Sequence, residues 1–333
     1  MVMAKLGQQA INFSQKYCWK IFLSNSFTHY SLLITHYSTS ARIFSQDARD
    51  YQIIFLSLFL FLGISTRDWT LRPDLMVTVT ATCLVTQWFF VAFLPFLNKL
   101  WKQEKLPTAT SLFPLGKLRS ALITALGLCL LLRANDYRTM MLAAFLAIAS
   151  KFLFRYQGKH FFNPANFGII AAVTFTADAW ISPGQWGTDW WYLLLFAGCG
   201  GMVLQKVGRW DTSATFFVSY AGLEAIRNFW LGWSWDVLHH QLMSGSLMLF
   251  ALFMLTDPRS IPNARISRLI WAISIAWVTF ILQHQFYIST AIFWALFALS
   301  PLTLILDGKW SAPRFQWQHN LSYSGEVHSV KTF

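Results

Sequence analysis

From residue 51 to residue 306 the chain is a succession of apolar runs, each ended by a short polar or turn-forming stretch. No other feature restricts the fold so strongly. A run of roughly 17–25 apolar residues is long enough to cross the hydrocarbon as a helix. Lipid offers the backbone no hydrogen bonds, so only helices and closed barrels span it. The runs fall at 51–66, 74–98, 118–132, 138–156, 164–182, 189–206, 212–231, 240–256, 265–283 and 286–306. The first and third are short, and Gly63 and Gly127 in them allow close helix contacts. The expected class is an all-α integral membrane protein of about ten transmembrane helices. Composition agrees: 55% of the residues are hydrophobic and 12% charged, against about 25% charged in a soluble domain.

Orientation follows from Lys and Arg, which gather in cytoplasmic connections. With the N-terminus inside, the inner segments hold 21 of the 26 basic residues and the outer ones 5. One missed helix would scramble that asymmetry, so both termini are expected to be cytoplasmic, in an inner or plasma membrane or a thylakoid membrane. The net charge of +12 is accounted for by these loops. No basic patch interleaved with stacking aromatics occurs, so nucleic acid is not an expected partner; the lipid bilayer is. Trp180, Trp186, Trp190 and Trp191 flank one outer connection, and Trp230, Trp233 and Trp235 the next, as interfacial anchors do.

Residues 1–46 differ from the rest. "THYS" stands at 28–31 and again at 35–38, and no small-residue cleavage site follows a clean apolar core. The segment reads as a weakly ordered extension, or as a start codon set too far upstream. The transmembrane domain is expected over 47–308, and a cytoplasmic tail over 309–333. Cys18, Cys83, Cys129 and Cys199 are isolated and lack metal-ligand spacing, so they read as apolar fillers and no metal site is expected.

Two punctuated stretches interrupt this pattern on the inner side. In "GKHFFNPANF" (158–167), Pro164 pushes Asn163 out of the helical region and suits the first helical position itself. Asn163 is thereby placed as an N-cap, with Asn166 in the first turn. Free N–H groups and the positive end of the helix dipole converge there. The spot suits the edge of a flavin or quinone ring flanked by Phe161, Phe162 and Phe167; it is equally a capped helix and nothing more. The second stretch, "LTDPRSIPN" (255–263), sets Asp257 before Pro258. "SALITALGLCL" (120–130) and "SGSLMLFALFM" (244–254) share a faint pattern in runs of opposite sense. That is the mark of two five-helix inverted repeats with a site between them.

"DARDYQ", "GKHFFNPANFG", "SGSLMLFALFMLTDP" and the ten-run layout resemble NqrB and RnfD. These are membrane subunits of the sodium-pumping NADH:quinone reductase and of the Rnf electron-transport complex. The resemblance covers roughly residues 47–310. It implies two inverted repeats that hold flavin in a bilayer redox chain, with other membrane redox subunits as partners. Asn163 matches a family asparagine near a non-covalent riboflavin, and His160 stands where the sodium-pump branch has a second asparagine. The cofactor implied is riboflavin or FMN, non-covalently held, with Asn163, His160, Asn166, Phe162 and Asp257 as binding residues. The family's Ser-Gly-Ala-Thr-type attachment motif for covalent FMN is missing from the short connection 177–191, where Thr188 lacks its context. Thr215, in "DTSATFF", lies on the wrong side. A covalent flavin is therefore not expected.

Ionisable groups inside spans are functional candidates by default. Glu224 lies deep in the seventh run with Arg227 three residues on, on the same helical face. They read as a self-neutralising pair or as the lining of a cation path. His239, His240 and His284 fall at outer ends, as interfacial histidines or as axial ligands of a haem. No nucleotide-binding glycine motif or catalytic triad spacing is visible, and no catalytic residue is named. Two functions remain: a flavin-holding electron-transport subunit, with coupled ion movement, or an inverted-repeat permease without redox activity.

Overall fold

A computed structural model describes residues 47–67, 72–96, 115–182 and 190–317. The extension 1–46, Trp186, Thr188 and the tail beyond 317 lie outside these residues. Helices stand at all ten expected places. They are α1 (Ala48–Arg67), α2 (Pro73–Trp88, continued by a wider π turn over Phe89–Phe93), α3 (Leu115–Leu131), α4 (Tyr137–Leu153) and α5 (Pro164–Phe175). There follow α6 (Trp190–Val207), α7 (Trp210–Trp230), α8 (Trp235–Leu242), α9 (Gly245–Leu249, continued by a π turn over Phe250–Met254), α10 (Arg265–His284), α11 (Ala291–Leu299) and α12 (Leu302–Lys309).

Among the described residues, three helices have the length and apolar character of a complete span, at Ala48–Ser65, Pro73–Phe96 and Arg265–His284. The α8–α9 and α11–α12 pairs, bent by 51° and 48°, bring the number to five. The second bend falls at Ser300–Pro301, where proline removes a ladder donor. The first helix is 20 residues long, so the expectation of a short span there was wrong; the run begins three residues earlier than its apolar part. Large side chains such as Phe61, Val77, Phe175, Val218 and Phe229 face outward, as the lipid-facing surface of a multi-pass membrane protein requires.

The fifth span departs from its expected range of 164–182. Its helix stops at Phe175 after 12 residues, about 18 Å at 1.5 Å per residue, too little for a hydrocarbon core of about 30 Å. Beyond it the chain bends at Ala177 and Asp178 and enters a short strand. Strand β4 (Trp180–Ile181) pairs antiparallel with β1 (Leu132–Arg133), directly beyond the end of α3. The Ser182 N–H then bonds the Leu131 carbonyl at 2.8 Å.

The helices form two halves with one packing plan. In the first, α1 packs on α3, α2 on α4, and α4 on α5; in the second, α6 packs on the π turn after α9, α7 on α10, and α10 on α11. Across the halves, α1 meets α6 and α5 meets α11, so equivalent first and fifth members face each other. That is the contact pattern of two five-helix inverted repeats related by a pseudo-two-fold axis. Small residues set the closest approach. A Cβ on Gly168 of α5 would come within 2.5 Å of the Ala143 carbonyl oxygen of α4. Gly127 allows α3 to meet Ala165, its virtual Cβ 3.5 Å from that side chain.

Candidate functional site

At the end of the bundle where Asp47 lies, the halves part around a cleft of about 880 Å³, counted out to its mouth. Its inner walls are apolar: Leu56 of α1, Ile123 and Leu130 of α3, Val203 of α6, Leu249 and Phe253 at α9. Its polar end holds Arg49, Ser120, Lys151, His160, Asn163 and Asp257, with Arg259 and Trp317 alongside. The lining is that of small-molecule sites, mostly apolar with a few convergent polar groups.

Asn163 has an extended backbone, φ −68° and ψ 125°, as the following proline dictates. Its Oδ1 accepts the Asn166 N–H at 3.1 Å, capping α5. Its Nδ2 donates to the Met254 carbonyl at 3.0 Å, across the boundary between the halves. That carbonyl belongs to the π turn, whose last oxygens lack ordinary helical partners. Side chains from elsewhere supply them. Ser213 donates to Ala251, Thr256 to Leu252 at 2.9 Å, and Gln52 to Phe253 at 3.4 Å. The two punctuated stretches thus meet at one seam.

His160 reaches the cleft through a hairpin. Strands β2 (Arg155–Tyr156) and β3 (Lys159–His160) are joined by Gln157 and Gly158, both at positive φ (51° and 82°), the mirror-image turn that suits two-residue hairpins. Its Nε2 lies 3.6 Å from Asp257 Oδ2. Burial pushes the imidazole below its ordinary value, against the pull of Asp257, so His160 is neutral at pH 7. Burial works against the Asp257 carboxylate too, but the His160 ring, the Arg259 N–H and Lys151 outweigh it and hold Asp257 ionised. The neighbouring Lys159 ties the halves together: its Nζ is 2.6 Å from Asp307 Oδ2 and 2.5 Å from the Ile261 carbonyl.

Of the expected binding residues, Asn163, His160 and Asp257 line the cleft and two do not. Phe162 belongs to an aromatic cluster with Phe154, Phe161, Phe167 and Phe297. Phenylalanines beside a polar motif here fill the space between α5 and α11 instead of flanking the cleft. Asn166 is buried on that same seam, where its Nδ2 donates to the Phe293 carbonyl at 3.1 Å. Sequence reasoning missed Lys151, Arg49, Ser120 and Trp317. A lysine two residues before the end of an apolar helix was readable as more than a loop charge, because its side chain starts inside the span.

The Glu224–Arg227 reading is corrected. Glu224 is buried and its Oε1 lies 2.7 Å from His284 Nε2, while the Arg227 guanidinium stacks over Trp233 at 4.6 Å. Sharing a helical face brings two residues near each other, but the acid points into the α7–α10 contact and the base out to the interface. His284 is the last residue of α10, not part of a connection. Beside it the Tyr220 hydroxyl donates to Gln283 Oε1 at 2.8 Å.

The model of the NQR2, RnfD, RnfE family matches residues 176–308. That stretch carries the second-half wall of the cleft, including Asp257, and ends one residue beyond Asp307. No curated protein matches the chain.

Proposed function

We propose, from the match of residues 176–308 to the NQR2, RnfD, RnfE family model, that this chain is a membrane electron-transport subunit. It holds a non-covalent flavin in the cleft between its halves and passes electrons within the bilayer, with the Asp47 end on the cytoplasmic side. The observation that carries the reading is the Asn163–Met254 hydrogen bond, which brings both punctuated stretches to the polar end of an apolar cleft. The residues present fit a flavin: apolar walls for the ring system, polar groups at the mouth for its side chain, and Trp317 as a flat apolar neighbour.

A flavin supplies one- and two-electron chemistry when bound. The chain contributes orientation and charge. Asn163 is spent on the cap and on Met254, so its part is to hold the two walls in register. His160, neutral and beside an ionised Asp257, is the group at the cleft that can take up a proton when negative charge arrives. Lys151 and Arg259 make the polar end favourable to electron-rich ligands.

The test is the visible spectrum of protein purified under gentle extraction. Flavin absorbance at near one equivalent per chain supports the reading. A colourless preparation overturns it and favours the permease, a reading that a cleft between inverted repeats also supports.

A further inference from the structure

We propose that the cleft selects a phosphorylated flavin over its unphosphorylated form, with Lys151 and Arg259 holding the phosphate; this rests on the flavin reading above. Lys151 is buried, and its Nζ is held by the Ser120 carbonyl at 3.1 Å and the Ser120 Oγ at 3.0 Å. Both are neutral acceptors, and among the described residues no carboxylate stands within ion-pair distance of it. Other cations buried at the same end are matched: Arg49 by Asp47 at 2.5 Å, Lys159 by Asp307 and Arg268 by Asp211, each at 2.6 Å. A buried charge with no carboxylate at contact distance is costly, and Asp257, the acid that feels the Lys151 charge, is already engaged by His160. An ammonium at the wall of a cleft is therefore a place prepared for an anion from outside the chain.

The other residues around the cleft carry the same sign. Asp257 is the one acid among those that line it, against Arg49, Lys151 and Arg259. Asp257 is engaged by His160 and by the Arg259 N–H at 3.2 Å, and Arg49 is matched by Asp47. What remains is Lys151 with the Arg259 guanidinium, which is likewise without a carboxylate among the described residues. Lysine binds phosphate as a point charge and arginine as a planar fork, and charge-assisted bonds to an anion are the strong ones. Both stand at the polar end, whereas Ile123, Leu130, Val203 and Leu249 lie farther along their helices into the bundle. The cleft therefore fits an apolar ring system that carries an anionic group at its outer end. Riboflavin would offer Lys151 only neutral hydroxyls; the monophosphate ester supplies the missing charge.

The same chemistry occurs in an anionic phospholipid, whose chains and phosphate would also suit the cleft, so the test separates the sources. Ligand-stripped full-length protein in neutral detergent is titrated with FMN and with riboflavin, read by flavin fluorescence quenching. FMN should bind at least about tenfold tighter, and the margin should shrink as salt rises. Lys151→Gln and Arg259→Gln should each abolish most of the preference, weakening FMN binding far more than riboflavin binding. The exposed Arg259 change keeps the test usable if the Lys151 variant fails to fold. Equal binding of both flavins overturns the proposal and leaves the flavin reading intact. Binding of neither overturns the flavin reading and the proposal together. Displacement of FMN by phosphatidylglycerol, with that lipid lost from the purified protein in Arg259→Gln, assigns the cations to lipid and overturns the proposal.

Discussion

The Asn163 amide donates to the Met254 carbonyl at 3.0 Å while its own oxygen caps α5. One side chain thus closes a helix start in one half and a helix end in the other. Asn163→Ala loses a cap, about 1 kcal/mol, and the bond across the halves, about 0.5–1.5 kcal/mol more, while the Met254 carbonyl keeps the Asp257 N–H at 3.4 Å. Asn163→Asp keeps the cap and sets a carboxylate against the same carbonyl, so it too is destabilised. Thermal unfolding in detergent should rank wild type above both variants. An aspartate variant as stable as wild type would mean that the bond across the halves contributes nothing.

Gly168 marks where α4 and α5 touch. Its alanine variant puts a methyl group 2.5 Å from a backbone oxygen and 2.7 Å from the Ala147 Cβ, neither of which can swing aside. The expected loss is about 1–3 kcal/mol or more. Gly201→Ala, where nothing lies within 4 Å, is the control and should be neutral or stabilising. Unfolding midpoints of the two variants check this directly.

His160 sets a pH dependence. Burial holds its folded value below that of the unfolded chain, so below about pH 6.5 the unfolded chain takes the proton first. Stability should fall as pH drops through that value, and level off once the folded imidazole also protonates. Asp257 is held low and stays ionised through this window. Melting of wild type and His160→Asn, compared at about pH 7.5 and about pH 5.5, isolates the histidine component. Parallel curves would remove it.

Glu224 is buried against His284. Glu224→Gln keeps a hydrogen-bonding partner for the ring and should cost no more than about 1.5 kcal/mol, whereas Glu224→Leu strands the ring and should cost about 3 kcal/mol. If Glu224 lines an ion path, the Gln variant stays folded and loses ion uptake into proteoliposomes. Normal uptake in a folded Gln variant would reduce the pair to a structural one.

The orientation proposed here is checked by reporters fused after Phe333. A cytoplasm-sensing reporter should be active and a periplasm-sensing one silent. The opposite result would turn the cleft to the other face.

Much of the architecture is local, and local features are what a sequence records. Ten apolar runs can only be helices in lipid, a proline after Asn163 specifies a capped helix start, and a faint likeness between runs of opposite sense corresponds to a real equivalence in packing. Helix ends that depend on partners were not legible. Nothing in 164–182 shows that the helix stops at Phe175, because the strand that follows needs Leu132 and Arg133 from another segment. Direction was equally hidden. Glu224 and Arg227 share a helical face, yet only the placement of α10 brings His284 to the acid and leaves the base to Trp233. The same holds at the cleft. Asn163 and Asp257 were identifiable from their prolines, but Lys151 became part of the site only when folding buried it beside Ser120, facing a space that no carboxylate of the described chain fills. Burial and charge balance arise from residues far apart in sequence, so only the folded halves together decide them.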